Sequence, residues 1–240
     1  MPVMAKKQEA LGLAKRAAGY EAANMADDGM IVGLGTGSTV WYTIERLSER
    51  VRDGLEITGI PTSIQTAIRA REAQIPLATL DDYAVIDIAI DGADEVDQKL
   101  RLIKGRGAAH LREKCVAAAA RRFIVVVDEQ KVVKKLGAAV PVEVLPFAVT
   151  PVVAQLRRLG CEPVIREAVK KDGPVITDNG NFVVDCKFTD LRNPEKTEAA
   201  IAAIPGALES GLFCGFTKKT TVIIGGPKKS KIITSANIVS

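Results

Sequence analysis

Histidine is almost absent from this chain, which has one, His110, in 240 residues. That excludes the common zinc centre built on several imidazoles, and any serine–histidine arrangement centred elsewhere. Aromatic residues are scarce as well. At 4% of the chain, with a net charge of only +4, they are too few for a stacking platform that would hold single-stranded nucleic acid. The four cysteines, Cys115, Cys161, Cys186 and Cys214, stand too far apart for a CxxC metal or redox pattern. They read as small apolar fillers in a reducing compartment. No apolar run approaches about 18 residues, so no membrane span is expected, and the amino terminus lacks the apolar core of a secretory signal. A cytoplasmic protein is the expectation.

What is present suits a globular chain of one large or two modest domains, with 47% hydrophobic and 26% charged residues. Lysine pairs at Lys6–Lys7, Lys134–Lys135, Lys218–Lys219 and Lys228–Lys229 read as solvated surface, and mild basicity also suits a small anionic substrate. No internal repeat and no low-complexity linker interrupts the sequence.

Residues from about Lys6 to Met25 are rich in Ala, Leu, Glu and Lys, which favours a helix ended by Asp27-Asp28-Gly29. Met30 to Leu34 reads as a buried strand running into Gly35-Thr36-Gly37-Ser38-Thr39, with a helix from about Val40 to Val51. The grammar repeats with strands at 55–60, 85–90 and 123–127 and helices at 64–73 and 108–120. Strands apolar on both faces, alternating with helices, predict a parallel sheet covered on both sides. From about Pro141 the order changes. Strand-like 142–145, helical 150–159, strand-like 163–166, a hairpin signal around Asp178-Asn179-Gly180, a helix at 194–203 and a strand at 212–216 resemble a split βαβ sandwich. Residues 221–224 would then rejoin the first sheet. The expected domains are a Rossmann-like α/β unit of residues 1–137 and 212–240, with an inserted α+β, ferredoxin-like unit of residues 138–211.

Three segments carry chemistry. The loop Gly35 to Thr39, between a strand and a helix start, offers free amides, the helix dipole and the hydroxyls of Thr36, Ser38 and Thr39 to an anion. The same pattern also serves a plain capped turn. In Ile90-Asp91-Gly92-Ala93-Asp94-Glu95-Val96-Asp97, an apolar strand ends in acids at the carboxyl edge of the sheet, where such folds bind ligands. A metal held by Asp91, Asp94, Glu95 and Asp97 competes with that reading, as does a solvated acidic loop. In Lys104-Gly105-Arg106-Gly107, glycines flank a cation just before a helix. Glu113 lies about two turns into that helix, roughly 9 Å along its axis from Gly107, within reach of a ligand over the loop. A surface pairing with Arg112 or Lys114 is the alternative for Glu113, and His110 reads as rim or packing.

Taken together, GLGTGST (33–39), PTS (61–63), IDGADEVD (90–97), KGRGAAHLREK (104–114), VVDEQK (126–131), PVEVLPF (141–147) and TDNGN (177–181) resemble the type A ribose-5-phosphate isomerase family, in the family's order and over most of the chain. The resemblance implies interconversion of ribose 5-phosphate and ribulose 5-phosphate through an enediolate, in the pentose phosphate pathway. It also implies a homodimer or homotetramer with no required metal. No hydride leaves the substrate in such a reaction, so no other cofactor is expected, and composition already speaks against nucleic acid and a membrane as partners. On this sequence it places Thr36, Gly37, Ser38 and Thr39 on the substrate, Lys15 and Lys131 near its phosphate, Asp91, Gly92, Ala93 and Asp94 along the site, and Lys104, Gly105, Arg106 and Gly107 completing it. Glu113 is the implied proton acceptor. Lys104 and nearby amides would stabilise the oxyanion, while Asp91 and Asp94 would hold hydroxyls and one of the two would help to open the furanose ring. The family's usual KGGG reads KGRG here, and His110 stands where an apolar residue is more common. A sugar-phosphate sensor of similar architecture would carry a helix-turn-helix, and one helix at the amino terminus is too little for that.

Overall fold

A computed structural model describes residues 2–227 and 229–237. Met1, Lys228 and the last three residues of the expected α/β unit lie outside the described residues, as do the side chains of Lys6 and Lys7, so the surface reading of those lysines falls outside as well. The chain begins with α1 (Pro2–Ala23), β1 (Ile31–Leu34), α2 (Ser38–Arg52), β2 (Thr58–Pro61), α3 (Ile64–Glu72), β3 (Ile86–Gly92), β4 (Glu95–Val96), β5 (Leu102–Ile103), α4 (His110–Ala119) and β6 (Ala120–Asp128). It continues through β7 (Val140–Val144), α5 (Val149–Arg158), β8 (Cys161–Ile165), β9 (Phe182–Phe188), α6 (Pro194–Ala202), β10 (Ala207–Ser210), β11 (Leu212–Phe213), β12 (Thr220–Gly225) and β13 (Lys231–Thr234).

Six strands form the main sheet in the order β13-β12-β6-β3-β1-β2, parallel except for the edge strand β13. Period-two alternation sorts its side chains between two cores. Ile88, Ile90, Ile124 and Val126 pack with Ala18, Ala22, Ile44 and Leu47 of α1 and α2. Ala89, Phe123, Val125 and Val127 pack with Val116 and Ala117 of α4 on the opposite face. Asp91, two residues beyond Ala89, therefore falls on the α4 side.

The segment β7-α5-β8-β9-α6-β10 forms an antiparallel sheet in the order β10-β7-β9-β8, the split βαβ sandwich expected from the sequence. Its own core gathers Val142, Val144, Val152, Leu156, Val184 and Ile201. Helix starts follow local chemistry. Ser63 caps α3 by accepting the Thr66 N–H, and Asn193, followed by Pro194, caps α6 by accepting the Lys196 N–H.

Three expectations are corrected. The Asp178-Asn179-Gly180 turn exists, closed by Thr177 N–H to Asn181 O at 2.8 Å with Gly180 at φ +79°. It does not join two strands of a hairpin, because Phe182–Phe188 pairs with β8 and β7 and residues 175–177 leave the sheet after one bridge. The buried Glu143 carboxylate explains the departure, since it accepts from Thr177 Oγ1, Asn179 Nδ2 and Asn181 Nδ2 and draws the turn inward. Residues 212–216 shorten to Leu212–Phe213, which leaves the large sheets and joins β5 and β4 in a three-stranded one. Cys115 is exposed, whereas Cys161, Cys186 and Cys214 are buried fillers.

Candidate active site

The main sheet reverses its strand order between β1 and β3, and the crevice at the carboxyl ends of those strands is where ligands of such sheets bind. A cleft of about 350 Å³ opens there. The loop after β1 and the start of α2 form one wall through Thr36 to Val40, Gly92 to Asp94 form the second, and Lys104 to Gly107 form the third. Glu113, Asp128, Lys15 and Lys131 complete it. All the site residues expected from the sequence line this space except Asp91, which sits behind the wall at 2% exposure.

Asp91 nonetheless organises the site. Its Oδ1 accepts the N–H groups of Thr36 at 3.1 Å and Gly92 at 2.7 Å, joining the first two loops. Gly35 permits this, because a Cβ there would lie 2.2 Å from the Asp91 carboxyl carbon. The other Asp91 oxygen is 3.1 Å from Lys104 Nζ, and the same ammonium is 3.1 Å from Glu113 Oε2 and donates to Gly92 O at 2.5 Å. All three side chains are buried. Asp91 Oδ2 and Glu113 Oε2 receive no directed hydrogen bond among the described residues, so their partner is the lysine's charge.

Burial and the neighbouring Asp91 charge push the Glu113 carboxyl up to about 8 against the pull of Lys104. Burial likewise raises Asp91, opposed by Lys104 and by the two amides. Burial works against the Lys104 charge, yet Asp91 and Glu113 outweigh it and hold the ammonium above its ordinary value. The result is a cation that stays charged beside a carboxyl that exchanges its proton near neutrality. Such tuning marks sites of proton transfer.

At the other end of the cleft α2 begins at Gly37 with no side-chain cap, leaving its first amides free, and Lys15 Nζ donates to Ser38 Oγ at 2.9 Å. The Thr36 hydroxyl is committed elsewhere. It meets Thr62, Ser63 and Thr66 hydroxyls at 2.9, 2.8 and 3.2 Å, which explains the PTS motif as a brace for the loop. Asp94 Oδ2 accepts the Arg106 N–H at 2.9 Å, while the Arg106 side chain is exposed at the rim. Glu95 and Asp97 do not converge on the cleft. Glu95 accepts the N–H groups of Gly137 and Ala138, and Asp97 is bound by Arg101. His110 is fully buried under Gly105, where a Cβ would lie 2.7 Å from its Nδ1, and burial depresses its pKa to about 3.

Two contributors escaped the sequence reading. Asp128, buried at the end of β6, lines the cleft and accepts the Gln130 N–H, shaping the short turn that presents Lys131. An acid ending an apolar strand, as in IAID at Asp91, was the available signal. Arg166, from the second sheet, bonds the carbonyls of Gly105 and Arg106, and no local pattern announced it.

A parallel α/β sheet whose switch-point crevice joins a buried Lys–Asp–Glu group to an open helix start and two cations has the construction of a proton-transferring enzyme for a small anionic substrate. Residues 58–229 match the family model of ribose 5-phosphate isomerase A (phosphoriboisomerase A). The ribose-5-phosphate isomerase A of Methanoregula boonei is 64% identical over 236 residues, covering 98% of this chain and all of the relative. The solved ribose 5-phosphate isomerase A of Methanocaldococcus jannaschii is similar at 44% identity and a TM-score of 0.88, over 92% of this chain and 98% of its own. A D-ribose-5-phosphate isomerase solved in complex with phospho-erythronic acid matches with the same identity and TM-score, over 92% and 97%. The chain belongs to the ribose 5-phosphate isomerase A family.

Proposed function

We propose that this chain interconverts D-ribose 5-phosphate and D-ribulose 5-phosphate, with Glu113 as the proton shuttle and Lys104 as the oxyanion holder. The observation that carries the reading is the Lys104 ammonium held 3.1 Å from both Asp91 and Glu113 inside the cleft. The phosphate would sit at the start of α2, against Ser38, Thr39, Lys15 and Lys131, where free amides and two cations favour it. Asp94 would hold sugar hydroxyls and assist ring opening.

In the open-chain aldose, ionised Glu113 takes the C2 proton, and the electron pair moves into a C1–C2 enediolate whose oxygen charge faces Lys104. Returning the proton to C1, with the O2 proton passing to O1, gives the ketose. Nothing is gained or lost overall, so no external oxidant or reductant is consumed. Asp91 keeps Lys104 charged and in place. Acidic phospho-erythronic acid is a suitable probe, since its carboxylate puts negative charge where the enediolate would develop it.

Membership of a central sugar-phosphate route and a cytoplasmic setting belong to the same proposal, supported by the family and by the free thiols. A second copy of the chain is the proposed covering of the apolar side chains left exposed on the smaller sheet's side, foremost Phe147 at 95% and Val169 at 88% exposure.

The test is turnover of ribose 5-phosphate by the wild type and by Glu113→Gln. The wild type forms ribulose 5-phosphate, and the variant binds the substrate while losing about 10²-fold or more in kcat. Saturable binding without turnover in the wild type would instead make the chain a sensor.

A further inference from the structure

We propose that Arg166 and Asp185, on the smaller sheet, are positioning residues that turn the Gly107 N–H into the cleft as an additional anion donor. The inference rests on the isomerase reading above and adds to it a donor and its support. Arg166 lies just past β8, and Asp185 on β9 stands opposite Val164, so the two are diagonal neighbours across the strand pair. The Arg166 guanidinium grips the Asp185 carboxylate with a fork, Nε to Oδ2 at 2.8 Å and Nη2 to Oδ1 at 2.5 Å. Its remaining edge is thereby aimed at the loop. Nη1 donates at 3.0 Å to both the Gly105 and the Arg106 carbonyl. Only a planar guanidinium has donors enough, in fixed directions, for four such bonds.

The consequence follows from the trans peptide unit, in which the C=O of one residue and the N–H of the next point in opposite directions. With the Gly105 carbonyl turned to Arg166, the Arg106 N–H must face the other way, and it donates to Asp94 Oδ2 at 2.9 Å. With the Arg106 carbonyl turned to Arg166, the Gly107 N–H faces the cleft in the same sense. No acceptor among the described residues takes it, and Gly107 lines the cleft wall. The loop is fixed from other directions too. Lys104 N–H donates to Gly211 O at 2.8 Å, and the His110 ring underlies Gly105. Lys104 Nζ and the Gly107 amide thus belong to one four-residue loop, anchored on its outer side by the smaller sheet. Amides fixed before reaction are the donors that stabilise developing charge most, because they need not reorganise.

The experiment uses the full chain with Arg166→Lys and Asp185→Asn, measuring kcat and KM for ribose 5-phosphate, affinity for phospho-erythronic acid, and the unfolding midpoint. Arg166→Lys keeps the charge and loses the fork. It is expected to lower kcat by about tenfold or more and to weaken phospho-erythronic acid by a similar factor, with KM within about twofold. Asp185→Asn is expected to give a smaller loss of the same kind. A kcat within about twofold of wild type in Arg166→Lys overturns the proposal, and so does a loss that tracks the unfolding midpoint and disappears on cooling. If the wild type itself produces no ribulose 5-phosphate, the isomerase reading fails. The clamp is then still decided by whether Arg166→Lys weakens phospho-erythronic acid.

Discussion

Lys104 Nζ and Glu113 Oε2 lie 3.1 Å apart, both buried, and Asp91 on the lysine's other side competes for the same charge. A single ammonium shared by two carboxyls is too little to hold both fully ionised in a desolvated place, which is why Glu113 stays high while Lys104 remains charged. A base in this condition is strong enough to take a carbon-bound proton and weak enough to give it back.

Activity should follow that ionisation. As the proposed base, Glu113 would act only when deprotonated, so kcat/KM is expected to climb as pH rises through about 8 and to level off above it. A pH–rate profile from 6 to 10 checks this, and a flat profile across the range would separate Glu113 from the rate.

The same shift predicts a stability difference. Glu113 rises from an ordinary 4.5 to about 8 on folding, so between those values the unfolded chain releases a proton that the folded chain retains. The stabilising contribution is full below about 4.5 and is lost as pH rises through 8. Glu113→Gln should therefore gain stability relative to the wild type as pH rises from 5 to 8, read from urea midpoints at several pH values. A constant difference between the two proteins would contradict the buried-carboxyl account.

Removing the cation should act in the opposite sense. Lys104→Met leaves Asp91 and Glu113 buried without a compensating charge, which costs roughly 3 kcal/mol when both are ionised. The penalty shrinks as pH falls and the carboxyls take up protons. Chemical unfolding at pH 8 and pH 5 measures the change, and turnover should be lost at both.

Gly35→Ala probes the joint between the first two loops. The added methyl would lie 2.2 Å from the Asp91 carboxyl carbon, so Asp91 must shift and release the Thr36 amide or the lysine. A stability loss of about 1–3 kcal/mol is expected, with a fall in kcat although no cleft-lining side chain has changed. Wild-type kcat in that variant would show that Asp91 can move without disturbing Lys104.

Much of the fold was legible because its signals are short-range. Apolar strands of β-branched residues, glycine turns before helices, and acids ending β3 are set by steric preference and hydrogen bonding within a few residues. The turn at Asp178-Asn179-Gly180 was legible for the same reason. Its hairpin was not, because the Glu143 carboxylate, more than 30 residues away, took the polar groups that shape the turn.

By itself the sequence determined the alternation of strands and helices in the larger parallel sheet, the loops that carry chemistry, and the residue types in them, while the short strands β4, β5, β10 and β13 carried no local signal strong enough to be read. Tertiary structure alone decided that Asp91 stands behind the cleft wall, that Lys104 is shared by two carboxyls, and that Arg166 holds the loop from outside. These outcomes depend on which strands neighbour one another in the finished sheets. The electrostatics that tune Glu113 come from water being excluded at that junction, and no local pattern encodes that exclusion.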